Sequence, residues 1–173
     1  MYRKAFILLL LILGCAPVRV QLDYDPGAVF ENYSSYGIAP GLDSGLSELD
    51  ERRLLESAGT VLQTRGFRLS DDPDLLLDIR TVVYQDPVQP SVGVGMGGTS
   101  GNVAGGMSVG LPVNSGQLQR EIAFEMRDAR QGRTLWQAVS MDRVPERPRP
   151  AQREERMRAI AEKVFGDFPP KNP

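Results

Sequence analysis

At 173 residues the chain has room for one domain with a sizeable core. Its 20 basic and 22 acidic residues leave a formal charge of −2, which indicates neither a nucleic-acid footprint nor a disordered acidic tail. With no histidine and one cysteine, histidine bases, Cys/His metal clusters, Cys–His nucleophile pairs and internal disulfides are all excluded.

Residues 1–14 open with Arg3 and Lys4, followed by an apolar run from Ala5 to Leu13. A helix rising about 1.5 Å per residue needs roughly 20 apolar positions to cross a bilayer, so this run reads as a secretory signal. The stretch Ile12-Leu13-Gly14-Cys15 resembles the lipobox of bacterial lipoproteins. That resemblance implies cleavage before Cys15, alkylation of its thiol by a diacylglycerol, and acylation of the new amine by a chain such as palmitate. Several acyl chains, each CH₂ contributing about 0.8 kcal/mol, would hold the protein on the membrane. Ala16 in place of an aspartate favours the outer membrane, with the domain facing the periplasm. Residues 15–17 are the tether, and the two residues after Cys15 reach about 7 Å when extended. Loss of Arg3 and Lys4 leaves 18 basic residues against 22 acidic ones, a mature charge of −4.

A single domain is expected over residues 18–170. Val18 to Tyr24 alternates apolar and polar residues, a strand buried on one face, and Asp25-Pro26-Gly27 ends it. A second short strand is expected around Tyr33–Ile38. Ser47 with Asp50 three residues on marks a helix start. Leu54, Leu55, Ala58, Val61 and Leu62 form one stripe, and Gly66 supplies a C-cap, so the helix spans about 47–65. A long strand follows from Leu75 to Tyr84, with Leu75, Leu77, Ile79, Thr81 and Val83 on one face.

From Gln117 to Asp128 a further strand places Leu118, Ile122, Phe124 and Met126 on one side. Ala129 to Arg133 turns the chain into Thr134–Met141, which carries Trp136. The proline- and arginine-rich connector before residue 151 is stiff. The last helix, about 151–165, puts Met157, Ile160, Ala161 and Val164 on one face. These elements imply an α+β fold, a mainly antiparallel sheet with both amphipathic helices on one face.

The 33 residues between Asp86 and Arg120 carry no charge, and residues 87–116 form a glycine-rich insertion. Gly93 to Gly98 satisfies G-x-G-x-x-G, but Thr99-Ser100-Gly101-Asn102 follows where a dinucleotide site needs a helix start. Val92, Val94 and Met96, then Met107, Val109 and Leu111, alternate with small residues. Two readings stand: a hairpin with one apolar and one bare glycine face, or a low-complexity loop. As a hairpin it offers edges without charged gatekeepers, a docking surface for a partner strand.

Candidate chemistry is sparse. Asp71, Asp72 and Asp74 crowd one turn, the only arrangement here for a carboxylate-dependent hydrolase; aspartates beside a proline read first as turn formers, as do Asp23 and Asp25. Arg147, Arg149, Arg153, Arg156 and Arg158 are interleaved with Glu146, Glu154 and Glu155, a solvated face with local ion pairs.

Several short motifs together resemble the DUF4136 lipoproteins of bacteria. They are Asp23-Tyr24-Asp25-Pro26, Phe30-Glu31-Asn32-Tyr33, the helix end Leu62…Arg65-Gly66-Phe67, and Pro73-Asp74-Leu75-Leu76. The glycine-rich middle, Arg127-Asp128-Ala129 before Leu135-Trp136, and the closing Phe168-Pro169-Pro170 continue the series. Family members carry an aromatic pair near the end of the second strand, where this sequence has Tyr36-Gly37-Ile38. Because that family is a domain of unknown function, the resemblance implies a fold and a compartment and supplies no catalytic residues. The expectation is therefore a non-catalytic envelope lipoprotein, anchored at Cys15, structural or partner-binding at the outer membrane, with no cofactor, metal or nucleic acid. The alternative is a lipoprotein that binds a lipid or another apolar ligand.

Overall fold

The computed structural model describes residues 18–85 and 118–170. The expectations for Cys15 and its signal, and for Val92, Val94, Met96, Met107, Val109 and Leu111, lie outside the described residues. In chain order the elements are β1 (Arg19–Tyr24), a 3-10 turn (Phe30–Asn32), β2 (Ser35–Ile38), α1 (Glu48–Thr64) and β3 (Arg68–Leu69). Then come β4 (Leu75–Gln85), β5 (Leu118–Asp128), β6 (Thr134–Arg143) and α2 (Pro150–Phe165).

The strands form one six-stranded sheet in the order β1-β6-β5-β4-β2-β3. As the pattern predicts, the fold is α+β and the sheet mostly antiparallel: β1–β6, β6–β5 and β5–β4 all pair that way. The β4–β5 ladder runs without a break from Leu75 opposite Asp128 to Gln85 opposite Leu118. The remaining strands are parallel, β2 lying between β4 and β3. Parallel neighbours need a crossover, and α1 supplies it by carrying the chain from the end of β2 back to the starts of β3 and β4.

Local chemistry sets the helix ends. The Ser47 hydroxyl accepts from the Asp50 N–H at 3.3 Å, and Gly66 after α1 takes φ 91°, a conformation that glycine adopts without steric cost. Pro150 opens α2, where its missing N–H is no loss.

Both helices bury their apolar stripes in one core with the inward face of the sheet. Leu54, Ala58 and Leu62 of α1 and Met157, Ile160, Ala161 and Val164 of α2 are buried. They meet Leu75, Leu77 and Ile79 of β4 and Ile122, Phe124 and Met126 of β5. On β6, Trp136 stands opposite Met126 and Thr134 opposite Arg127. Leu135 is thus an extra residue, a bulge that lets both Leu135 and Trp136 be buried. Phe168, just past α2, closes this end: its ring lies 5.1 Å from Trp136, 5.1 Å from Phe67 and 5.7 Å from Phe30.

β1 departs from expectation. Its alternation predicts one buried face, yet Leu22 is 52% exposed and Val20 and Tyr24 are only half-buried. The strand pairs with β6 alone and ends the sheet, so its inward side chains have neighbours on one flank only. The outward face of the sheet is polar at its centre, where Asp78 pairs with Arg80 and Arg127 and Tyr84 donates to Glu121. Among the described residues no helix is long and apolar enough to cross a membrane.

Candidate functional site

The inward row of β5 reads Arg120, Ile122, Phe124, Met126 and Asp128, so a guanidinium enters the core face at the strand's start. Burying a charge among apolar neighbours is costly unless it is paired and hydrogen-bonded. The β5–β6 register answers this by setting Asp142 directly opposite. Arg120 donates through Nε to Oδ1 at 2.9 Å and through Nη2 to Oδ2 at 2.7 Å, a bidentate fork. Arg156 of α2 adds its Nε at 3.3 Å from the same Oδ2. The Asp142 side chain is 1% exposed, so one dry carboxylate lies between two guanidiniums.

A second carboxylate repeats the pattern. Asp50, buried in the first turn of α1, accepts from Arg53 at 2.8 Å and from Arg153 of α2 at 2.7 Å. Arg153 and Arg156 are three residues apart on α2, hence neighbours on one face. That face is pinned to α1 through Asp50 and to the sheet through Asp142. Four arginines thus converge on two buried carboxylates.

A cavity of about 720 Å³ opens beside this group. Arg120, Arg149, Arg153 and Arg156 line it together with Asp50 and Glu155. The rest is largely apolar, with Val144, Pro145, Pro148 and Met157 in its walls. The stiff connector between β6 and α2 shapes it: Val144 still donates to Leu118 O at 2.9 Å, as a last rung beyond β6. The prolines then lead into α2 with fixed φ angles.

The arginine run divides unequally. Arg158 pairs with Glu155 at the surface and Arg147 and Arg149 are exposed, as interleaved charges predict. Arg153, itself exposed, and the half-buried Arg156 instead pair with buried aspartates on other elements, where the interleaving predicts local pairs. The sequence reading points to neither Arg120 nor Asp142 as a site residue and gives Asp50 only the part of a helix-start acid. The signal for the first two is parity, since Arg120 shares its face with Ile122, and Asp142 shares its face with Ala138 and Ser140.

The crowded aspartates do structural work. Asp71 and Asp72 are exposed in their turn, while Asp74 belongs to β2 as much as to β4. Its Oδ2 accepts from the N–H of Ser34 at 2.9 Å and of Ser35 at 3.0 Å, and from both serine hydroxyls. The Ser34 N–H foremost, with the Ser35 hydroxyl next, holds the Asp74 carboxyl below its ordinary value. Asp128 accepts from the Arg130 and Gln131 N–H groups at 2.8 Å and from Tyr33 OH at 2.9 Å. Its carboxyl is held down chiefly by the Gln131 N–H. The Tyr33 hydroxyl is pushed up, first by burial and then by that bond to Asp128. Asp25 accepts from the Gly27 N–H at 2.8 Å, an Asx turn, and pairs with Arg133. Among the described residues no three His, Cys, Asp or Glu side chains converge as metal ligands.

The model of a family described as a domain of unknown function (DUF4136) matches residues 20–170. Among solved structures, a PDZ domain protein from Parabacteroides distasonis is similar with a TM-score of 0.57 and 15% identity. The match covers 90% of this chain and 36% of that one, so the chain spans about a third of that protein's length. A DUF4136 family protein from Bacteroides thetaiotaomicron is similar at a TM-score of 0.47 and 16% identity, covering 90% of this chain and 97% of that chain. A PelC dodecamer from Paraburkholderia phytofirmans gives 0.49 and 14%, covering 86% and 94%. At such identities the likeness concerns the fold alone. No curated protein matches the chain.

Proposed function

The chain belongs to the DUF4136 family, and from that premise we propose that it is a non-catalytic lipoprotein, anchored through Cys15 and binding a partner at the periplasmic face of the outer membrane. The observation that carries this reading is the start of the fold. β1 begins at Arg19, four residues past Cys15, so acylation there holds the sheet edge against the bilayer with almost no linker. The engagement of Asp74 and Asp128 with backbone N–H groups supports a non-catalytic role, because both carboxylates are committed to joining strands and turns. The uncharged insertion, with Val92, Val94, Met96, Met107, Val109 and Leu111, is the proposed partner-binding segment.

Growth with labelled palmitate tests the anchor. Label is expected on the wild-type protein and none on Cys15→Ser, with the mature mass beginning at Cys15 and the protein fractionating with outer membranes. A product that keeps residues 1–14, or whose sulfur is bare, overturns it. Crosslinkers at positions 92, 94, 96, 107, 109 and 111 then test the docking segment, which falls if nothing is captured from any of them.

A second reading, binding of an apolar ligand, is favoured by one observation: the cavity of about 720 Å³ beside α2, which lies within the roughly 300–1,000 Å³ of small-molecule sites.

A further inference from the structure

We infer that the tip of the β4–β5 ladder is a second membrane contact, where Val82, Val83 and Leu118 enter the lipid surface to which Cys15 is tied. The inference deepens the anchor reading and rests on it.

The sheet register locates this tip. Arg19 lies opposite Met141, Met141 opposite Glu121, and Glu121 opposite Val82, so one row crosses β1, β6, β5 and β4. Neighbouring strands stand about 4.8 Å apart, which makes the row roughly 14 Å wide. Cys15 precedes Arg19 by four residues, a reach of at most about 14 Å. The other end of the sheet is remote: from Glu121 to Asp128, where β5 ends, the strand climbs roughly 24 Å. Lipid that holds acyl chains on Cys15 therefore passes beside the Val82 row and away from the β5–β6 turn.

Burial along β4 shows what the tip suits. Its inward residues Leu75, Leu77 and Ile79 are fully buried, but Val83 on the same face is 53% exposed, so the ladder has outrun the core that covers its start. Val82, on the outward face, is 60% exposed, and Leu118 on β5 is 41% exposed. A protein partner laid on the sheet would cover one face of this tip. Apolar side chains bare on both faces suit a medium that surrounds them, and lipid does so. The contact is shallow, because among the described residues β4 has no strand on its outer side past Leu77, and its backbone groups need head-group or water partners.

Charge agrees with this occupant. Of the charged residues in the rows from Val82 to Gln85, Arg120 and Asp142 are buried together, and Glu121 is half-buried and accepts from Tyr84 OH. The exposed ones are Arg19 and Arg143, both cationic. Cations flanking apolar side chains fit a surface with anionic head groups.

The test uses the full-length protein, purified from membranes with its anchor and reconstituted in vesicles of phosphatidylethanolamine and phosphatidylglycerol. Because the one native cysteine is Cys15, whose sulfur the anchor occupies, Val83→Cys, Leu118→Cys and Gln131→Cys each offer a single thiol for a bimane probe; the last lies in the exposed β5–β6 turn. Thermal melts confirm that the variants fold, and Val82→Cys replaces either tip variant that does not. Lipids with a nitroxide near the head group should quench the probes at 83 and 118 at least about threefold more than the probe at 131, and aqueous iodide should show the reverse order. Flotation with the vesicles reports the anchor separately. Protein that floats with its tip probes quenched by lipid no more than the one at 131 overturns the inference and leaves the anchor reading standing. Tip probes shielded from lipid and iodide alike also overturn it, in favour of cover by the chain's own insertion or a second copy. Protein that does not float overturns both.

Discussion

Arg120 and Asp142 face each other across β5 and β6, in a row that otherwise holds Ile122, Phe124, Ala138 and Ser140. A salt bridge so placed contributes less to stability than its short distances imply, because both ions left water to form it. Its loss on one side alone is another matter. Asp142→Asn leaves Arg120 and Arg156 without their shared anion and should destabilise the fold by about 3–5 kcal/mol. Replacing the pair together, as Arg120→Met with Asp142→Leu, should recover at least about 1 kcal/mol of that loss. Urea unfolding of both variants decides it, and equal losses would show that the pair matters by shape rather than charge.

Phe168 reaches Phe30, Phe67, Trp136 and Phe165 from beyond the end of α2. Phe168→Ala should cost about 3–5 kcal/mol, the range for a large aromatic in a core. The near-ultraviolet circular dichroism of Trp136 should weaken along with the fall in the melting temperature, since Trp136 loses an edge-on neighbour.

Asp74 and Asp128 both ionise more readily in the fold than when unfolded. Their contribution is therefore fully present above the unfolded aspartate value of about 3.9, and is lost as pH falls through the lower folded values. Stability should drop steeply on the acid side below about pH 4. The double variant Asp74→Asn, Asp128→Asn should be less stable at neutral pH and show a flatter acid limb. Denaturant midpoints taken from pH 2 to 7 measure both.

Gly37 in β2 lies under Pro73, where an added Cβ would come 2.8 Å from the proline Cγ and 3.2 Å from Ser70 O. Gly37→Ala must push the Asp71–Asp74 turn away from β2, at about 1–3 kcal/mol for overpacking. Pairing it with Pro73→Ala should restore part of the loss in thermal melts, because the nearer obstacle is the ring.

Local signals are legible in this sequence and non-local ones are not. Ser47 and Gly66 bracketed a helix over 47–65, and α1 occupies Glu48–Thr64, because caps and an apolar stripe are written within one segment. β4 and β5 were likewise legible from parity. The parallel pairing of β2 with β4 was not, since four residues such as Ser35–Ile38 carry too little pattern to name a partner, and β3 at two residues carries none. The arginines of α2 show the same limit. Helical spacing makes Arg153 and Arg158 look alike, but one meets Asp50 on another helix and the other meets Glu155 on its own. The site's acids come from α1 and β6, about 100 and 14 residues from their α2 partners, so no local window holds the whole group.

The rung that joins Gln85 to Leu118 sets the terms for everything between them. Gln85 and Leu118, which flank the insertion, lie side by side on neighbouring strands, so the ladder asks of the chain between them only that it return to its starting point. Closing a loop costs about 0.6 kcal/mol for each doubling of length, so growth or shrinkage of the insertion by half changes the sheet's stability very little. The ladder itself therefore places little constraint on the length of chain between its two flanking residues.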